Sequence, residues 1–346
     1  MWLKRLVLSN FRNHKSLSVG FCPGVNLIQG KNGLGKTNLL EALHLISTGR
    51  SFRTAHLCDM IYHGASAFHI SAEFERDGIE QNLTMSFDGS SRKLKINATQ
   101  YANFSNVLGL LPSVLYAPYD HALIAGAPAD RRRFLNIHIA QTDPVYVHHL
   151  MRYSKALKQR NALLKTKQDA SIEVWEAQMA LSGAYLINRR QKAIKMLEPH
   201  LKPYIERLSD DDFTVLYQPS LTGDLCAQWK ANRKKDMLMN TTLFGPHRDD
   251  IAIQANGKSA KAFSSEGQKR SCLAALKLAQ WSSLKEEIED VPLLAIDDFG
   301  VHLDETRTSR LSHELVKLGQ VFLTTPLSSN IDADQTIDID IISLPR

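Results

Sequence analysis

The chain is poor in the features that would staple, anchor or export it. Its 346 residues hold four cysteines, Cys22, Cys58, Cys226 and Cys272, scattered and without a CxxC pair. That excludes a disulfide framework and a structural zinc site, and it points to reduced thiols in a cytoplasmic protein. No run approaches the ~18 consecutive apolar residues of a bilayer span, so no membrane partner is expected. The opening stretch MWLKRLVLSNFRNHKSL carries charge inside its apolar part and has no small-residue cleavage site, which argues against a secretory signal. Repeats and low-complexity tracts are missing too. The 13 histidines do not suggest a metal centre, because the adjacent His148 and His149 point to different sides of a helix. Apolar residues at 43% and charged residues at 23% are ordinary for a globular chain. At roughly 100–200 residues per domain, two or three structural units are expected, with a core that needs no staple.

The net charge of +6 is unevenly spread. Residues 151–200 hold ten basic residues, Arg152, Lys155, Lys158, Arg160, Lys165, Lys167, Arg189, Arg190, Lys192 and Lys195, against the four acids Asp169, Glu173, Glu176 and Glu198. A second basic cluster, Lys230, Arg233, Lys234 and Lys235, follows. Such patches are either solvated helix faces or surfaces for a polyanion.

Strand patterns occur at 2–9, 25–29, 67–75, 81–87 and 93–97, the last two joined across a DGSS turn at 88–91. From about 130 to 200 the period becomes helical. Asp143-Pro144 reads as a helix start, and Leu150, Tyr153, Leu157 and Leu164 recur at helical spacing. The pattern breaks at 166–170, restarts with Ile172, Trp175, Met179 and Leu186, and is expected to break again at Pro199 and Pro203. This predicts an antiparallel helical arm inserted between two halves of another domain, with Tyr146, Trp175 and Met179 packing inside it. Strand character returns at 213–217, 250–254, 292–296 and 320–324.

Three motifs carry chemistry. Gly30-Lys31-Asn32-Gly33-Leu34-Gly35-Lys36-Thr37 matches GxxxxGK[ST] between an apolar strand and a helix start. Its glycines let backbone N–H groups close around phosphate oxygens at a helix N-terminus. Lys36 is placed for the β- and γ-phosphates and Thr37 for Mg²⁺. Second, the apolar run at 291–296 ends in Asp297-Asp298. Asp297 is the expected Mg²⁺ holder, and Asp298 is placed to orient the attacking water. Third, Ser265-Glu266-Gly267-Gln268 opens a long helix about 30 residues before the acids, offering a hydroxyl and backbone N–H groups to an anion. By contrast LSGA at 181–184 lacks the glutamine and reads as helix surface.

Phosphate loop, helical insertion, SxGQ turn and acidic strand, in that order, form the layout of an ABC-type ATPase head. With the remaining blocks, the sequence resembles the RecF family of recombinational repair ATPases, relatives of the SMC proteins, over nearly its full length. The blocks are Leu8-Ser9-Asn10-Phe11-Arg12-Asn13, Gly49-Arg50-Ser51-Phe52-Arg53-Thr54, Tyr116-Ala117-Pro118-Tyr119-Asp120, Gly126-Ala127-Pro128 with Arg131-Arg132-Arg133-Phe134-Leu135, and Gly245-Pro246-His247-Arg248-Asp249-Asp250. The sequence departs from the family at Asn136, where an acid commonly stands, and at 299–302. It has Thr324-Thr325 in place of an ABC-type switch histidine, and no lid-loop glutamine can be placed.

The resemblance implies an α/β ABC-type head with an antiparallel β subdomain and an inserted helical lobe. The expected division is 1–125, 126–240 and 241–346. It implies a cytoplasmic, slow, Mg-dependent and DNA-stimulated ATPase that clamps duplex or gapped DNA as an ATP-bound homodimer. It further implies action in gap repair, recombinase loading and the SOS response beside RecR- and RecO-like mediators. Nucleotide contacts are expected from residues 30–37, from Arg12, and from Ser265, Gly267 and Gln268, with Ser265 completing the γ-phosphate site of the opposite subunit. Catalysis is expected from Lys36, Asp298 and Ser265. DNA contacts are expected from Arg152, Lys155, Lys158, Arg160, Arg189, Arg190 and Lys192. Asp120, Arg248 and Asp249 read as turn and interdomain salt-bridge residues with no assigned role, Arg131–Arg133 stand between phosphate contacts and the cap of a domain junction, and Asp304 is read as a helix cap or subunit contact. The alternatives are a transporter ATPase subunit, without DNA dependence, and a small-molecule phosphotransferase with its pocket inside one subunit.

Overall fold

The computed structural model describes residues 1–167, 171–301, 305–326 and 332–339; Asp304, and His302 of the divergent 299–302 stretch, lie outside them. A five-stranded parallel sheet runs through the centre in the order Gln335–Asp338, Val25–Gln29, Val321–Thr325, Leu293–Ile296 and Ser113–Tyr116. Apart from the edge strand Gln335–Asp338, its strands are short apolar runs because both faces are covered. Side chains alternate between those faces. Leu293, Ala295 and Phe322 join one core, and Leu294, Ile296, Val321 and Leu323 join the other.

The first core lies under a six-stranded antiparallel sheet, ordered His14–Gly20, Trp2–Phe11, Phe68–Arg76, Ile79–Phe87, Arg92–Ile96 and Thr99–Tyr101. Its inner face comes from alternating residues such as Leu6, Leu8, Ile70, Ala72, Leu83 and Met85, all fully buried. The expected hairpin at 88–91 forms. Asp88 Oδ1 accepts the N–H groups of Ser90 and Ser91 at 3.1 and 2.8 Å, and these bonds hold its carboxyl far below the usual range.

The second core is helical. Asp143 caps helix Pro144–Thr166 by accepting the Tyr146 N–H, and the helix packs against Ile172–Leu208 as the expected antiparallel arm. The expected break at Pro199 and Pro203 does not occur. One helix of 37 residues runs through both prolines, because Leu197, Leu201, Tyr204, Ile205 and Leu208 bury themselves against the head. That burial outweighs the lost backbone donors. Beyond it, Phe213–Gln218 pairs antiparallel with Asp250–Ala255, and helix Leu225–Leu238 lies across the arm. Helix Glu266–Ile288 packs along the long arm helix and leads back to the central sheet. The LSGA stretch is not all surface: Ser182 and Gly183 are buried, and a Cβ on Gly183 would meet Leu225 at 3.0 Å.

Candidate nucleotide site

Strand Val25–Gln29 delivers the chain into the glycine loop, where Gly30, Gly33 and Gly35 have φ of 145°, 88° and 99°. A side chain at Gly35 is doubly excluded, since its Cβ would lie 2.3 Å from His14 Nε2. Helix Lys36–Thr48 starts at once, aiming its N-terminus into the loop. Lys36 is buried, and its Nζ donates to the carbonyls of Gly30 at 2.5 Å and Lys31 at 3.0 Å. Lys31, Asn32 and Gly33 form the exposed rim, while Leu34 packs into the core beneath.

A second ring of polar residues supports this loop, and sequence reasoning missed it. Asn13 Nδ2 donates to the Gly33 carbonyl at 3.0 Å, and His14 Nε2 lies 3.1 Å from the Gly35 carbonyl. Asn38 and Arg53 continue the chain of contacts. Only the left-handed φ of Asn10 and Arg12, which turns Asn13 and His14 onto the loop, distinguishes them. Arg12, expected as a nucleotide contact, bonds the loop's own helix in this structure. Its guanidinium pairs with both oxygens of Glu41 at 2.8 and 2.6 Å and donates to the Asp59 carbonyl. Glu41 is fully buried on the loop's own helix and requires a counter-charge. Ser51 and Arg53, of the block at 49–54, also bond Glu41.

The acidic strand end meets the loop as expected. Asp297 Oδ1 accepts hydroxyls from Thr37 at 2.9 Å and Thr324 at 2.7 Å. Burial pushes its carboxyl above the usual range, and the Thr324 bond opposes that shift. Its N–H donates to Tyr116 and the N–H of Phe299 to Thr324, so both neighbouring strands fix this turn. Asp298 adopts φ of 53°, which turns it away from the strand direction. The Thr324 hydroxyl thus meets both acidic residues, donating to Asp297 and accepting the Asp298 N–H at 2.9 Å.

Ser265 caps helix Glu266–Ile288. Its hydroxyl accepts the Gln268 N–H at 3.2 Å, and Gln268 Oε1 accepts the Ser265 N–H at 2.7 Å, a complete capping box at an exposed turn. Gly267 leaves room for Arg307, whose guanidinium would lie 3.0 Å from a Cβ there. Strand Ser113–Tyr116, beside the acidic strand, ends in a short loop. That loop, 117–121, carries Asp120, paired with Lys277 at 2.8 Å, and His121, 2.9 Å from Glu266. A cleft of about 300 Å³ opens between Asp297, Asp298, Pro118, His121, Glu266 and Arg270.

In the remaining family blocks, all three arginines of 131–133 bond within the protein. Arg131 grips both oxygens of Asp250 at 2.6 and 3.0 Å, Arg132 donates to the Asp249 carbonyl, and Arg133 donates to the Ser51 carbonyl. Asp249, fully buried, accepts from Arg190, Tyr217 and the Ser220 N–H. Arg248 is exposed. Asn136 accepts from Tyr146 at 2.6 Å and Arg190 at 3.1 Å, so an amide serves where the family commonly has an acid.

The chain matches the family model described as "RecF/RecN/SMC N terminal domain" over residues 2–339. It is 44% identical to the DNA replication and repair protein RecF of Protochlamydia amoebophila, over 97% of this chain and 98% of that one. The chain belongs to the RecF family. Against the RecF of Symbiobacterium thermophilum the identity is 36%, over 94% and 91% of the two chains. A solved structure described as the recombination mediator protein RecF-ATP in the RecFOR pathway superposes with a TM-score of 0.91 at 29% identity, covering 97% of this chain and 95% of that one. An SMC head superposes at 0.58 with 17% identity, which speaks to the fold alone. Membership in the RecF family places the chain among DNA replication and repair ATPases that take ATP, and it disfavours the transporter reading. No helix among the described residues is long and apolar enough to cross a membrane.

The RecF-family arm corrects part of the expected DNA surface. Arg160 has no exposed surface and binds Glu176 at 2.9 Å and Asp236 at 2.8 Å. Arg190 is buried on Asp249, the Pro246 carbonyl and Asn136. Arg189 is largely covered and pairs with Asp143 at 2.7 Å and Glu287 at 3.6 Å. Guanidiniums form planar, multiple bonds in low-dielectric surroundings, so the arm uses them as internal cross-links. Lys155, Lys158 and Lys192 remain exposed and Arg152 half-buried; Lys165 and Lys195 are also exposed.

Proposed function

We propose that this protein is an ATP-driven DNA clamp: two copies close around ATP, hold duplex or gapped DNA between their arms, and part after slow hydrolysis. The observation that carries this reading is the convergence of Thr37 and Thr324 on Asp297 at the mouth of a glycine loop that already encloses Lys36. Residues 30–37 would bind the triphosphate. The Thr37 hydroxyl and the Asp297 carboxylate, hard oxygen donors in contact, suit Mg²⁺. When bound, that ion would neutralise charge on the transferring phosphoryl group. Lys36 adds a fixed positive charge, and Asp298 orients the attacking water. Ser265, Gly267 and Gln268 sit on an exposed helix start, suited to close on the γ-phosphate of a second copy.

The DNA surface in this reading is made of lysines. Lys155, Lys158, Lys165, Lys192 and Lys195 on the arm join Lys230 and Lys234 of helix Leu225–Leu238, which the Arg160–Asp236 pair holds against the arm. Lysines act as point charges toward phosphate and read no bases, so binding is independent of sequence. The division 1–125, 126–240 and 241–346 then separates two halves of a head from a DNA-holding lobe. Cytoplasmic gap repair, recombinase loading beside RecR- and RecO-like mediators, a role in the SOS response and stimulation of hydrolysis by DNA complete the proposal.

Binding to a short fluorescent duplex over a salt series, with ATP, ADP or no nucleotide, tests it. ATP-dependent binding that weakens steeply with salt is expected. Binding indifferent to nucleotide would reduce the lysines to a solvated face.

A further inference from the structure

The Gln268 side chain is held at both ends of its amide. Its Oε1 accepts the Ser265 N–H at 2.7 Å, and its Nε2 donates to Asp211 Oδ1 at 2.9 Å. Asp211 lies in the turn just after the arm helix Ile172–Leu208, 37 residues and about 55 Å long. The turn is itself fixed. Asn256 Nδ2 donates to Asp211 Oδ1 at 3.1 Å, Ser209 Oγ bonds Asp211 Oδ2 at 3.3 Å, and the Asp212 N–H donates to Asn256 Oδ1 at 3.0 Å. The base of the arm is thereby joined to the hairpin that leads into Ser265.

An amide has one donating and one accepting end, whereas a carboxylate only accepts. Asp211 therefore fixes which way Gln268 faces: nitrogen toward the arm, oxygen toward Ser265. With the amide reversed, an NH₂ group would face the Ser265 N–H, donor against donor, and the capping box would open.

We infer that Asp211 is a positioning residue for the ATP site, setting Ser265 through the Gln268 amide from the base of the arm. Movement of the arm helix, as when DNA is held, then reaches the turn that closes on nucleotide. The inference rests on the reading of Ser265 as a group that acts across a dimer.

The test compares Asp211→Ala and Asp211→Asn with the unchanged protein. It measures ATP affinity of the monomer, steady-state hydrolysis with and without duplex DNA, and thermal stability. Asp211→Ala is expected to lower kcat by about tenfold to a hundredfold and to lose its response to DNA, with ATP affinity and melting temperature unchanged. Asp211→Asn keeps a carbonyl acceptor for Nε2 and is expected to retain most of the rate. Unchanged turnover and DNA response in Asp211→Ala would overturn the inference. So would equal losses in both variants accompanied by lowered stability, which is the mark of a merely structural turn. Failure of the dimer reading looks different, since Ser265→Arg would then leave hydrolysis untouched in an otherwise unaltered chain.

Discussion

Asp297 is where loop and sheet meet and where the proposed function would place Mg²⁺, and a minimal change there isolates its charge. Asp297→Asn keeps an oxygen for the Thr37 and Thr324 hydroxyls. It should leave ATP binding measurable by fluorescent nucleotide while lowering kcat by on the order of 10²–10³. Histidines give a second prediction at this scale. Burial lowers His44 to about 3 and both His138 and His247 to about 4. The unfolded chain, with histidines near 6.5, binds more protons across that interval. The stability these groups contribute is complete above roughly pH 6.5 and is lost as the pH falls toward 4. Urea midpoints at pH 7.5 and 5.0 should show the fall, and His44→Phe should lessen it. The phosphate loop and the acid pair were legible in the sequence because each chemistry needs fixed residue types at fixed spacing. The burial of Arg160 was not, since its partners Glu176 and Asp236 lie 16 and 76 positions away and composition counts charges without locating them.

Among elements, the helices of the arm were readable from their period, and some of the short strands were not. Ser113–Tyr116 and Gln335–Asp338 have four residues each, too few to show alternation, although the first borders the acidic strand. The two prolines misled for a related reason: a local rule forbids them in a helix, but the apolar stripe from Leu197 to Leu208 is satisfied only if the helix continues. The ion network locks the arm to helix Leu225–Leu238, which leads to a contrast within one helix. Arg160→Ala strips the buried Asp236 of its ion-pair partner and leaves the buried Glu176 to Arg233 alone, and should cost about 3–5 kcal/mol by urea denaturation. Lys158→Ala, on the exposed face, should stay within about 0.5 kcal/mol and weaken DNA binding instead. Reversal of those two outcomes would return the arginines to the DNA surface.

At the scale of the whole molecule, the proposed dimer draws two half-sites from each head: the glycine loop with its acids, and the Ser265 turn. Each lysine that contacts a phosphate should contribute about 0.9 to the slope of log K against log salt, so Lys230→Ala with Lys234→Ala should flatten that slope by up to roughly 2 without changing ATP affinity. The trans-assembled site is the central claim, and mixing two inactive variants tests it most directly. Lys36→Ala lacks a working loop and Ser265→Arg lacks a working turn, so neither should hydrolyse ATP alone. In a mixed dimer the intact loop of one subunit meets the intact turn of the other, and hydrolysis should return. A mixture that stays inactive, although both variants are folded and the mixture dimerises with ATP, would contradict the account.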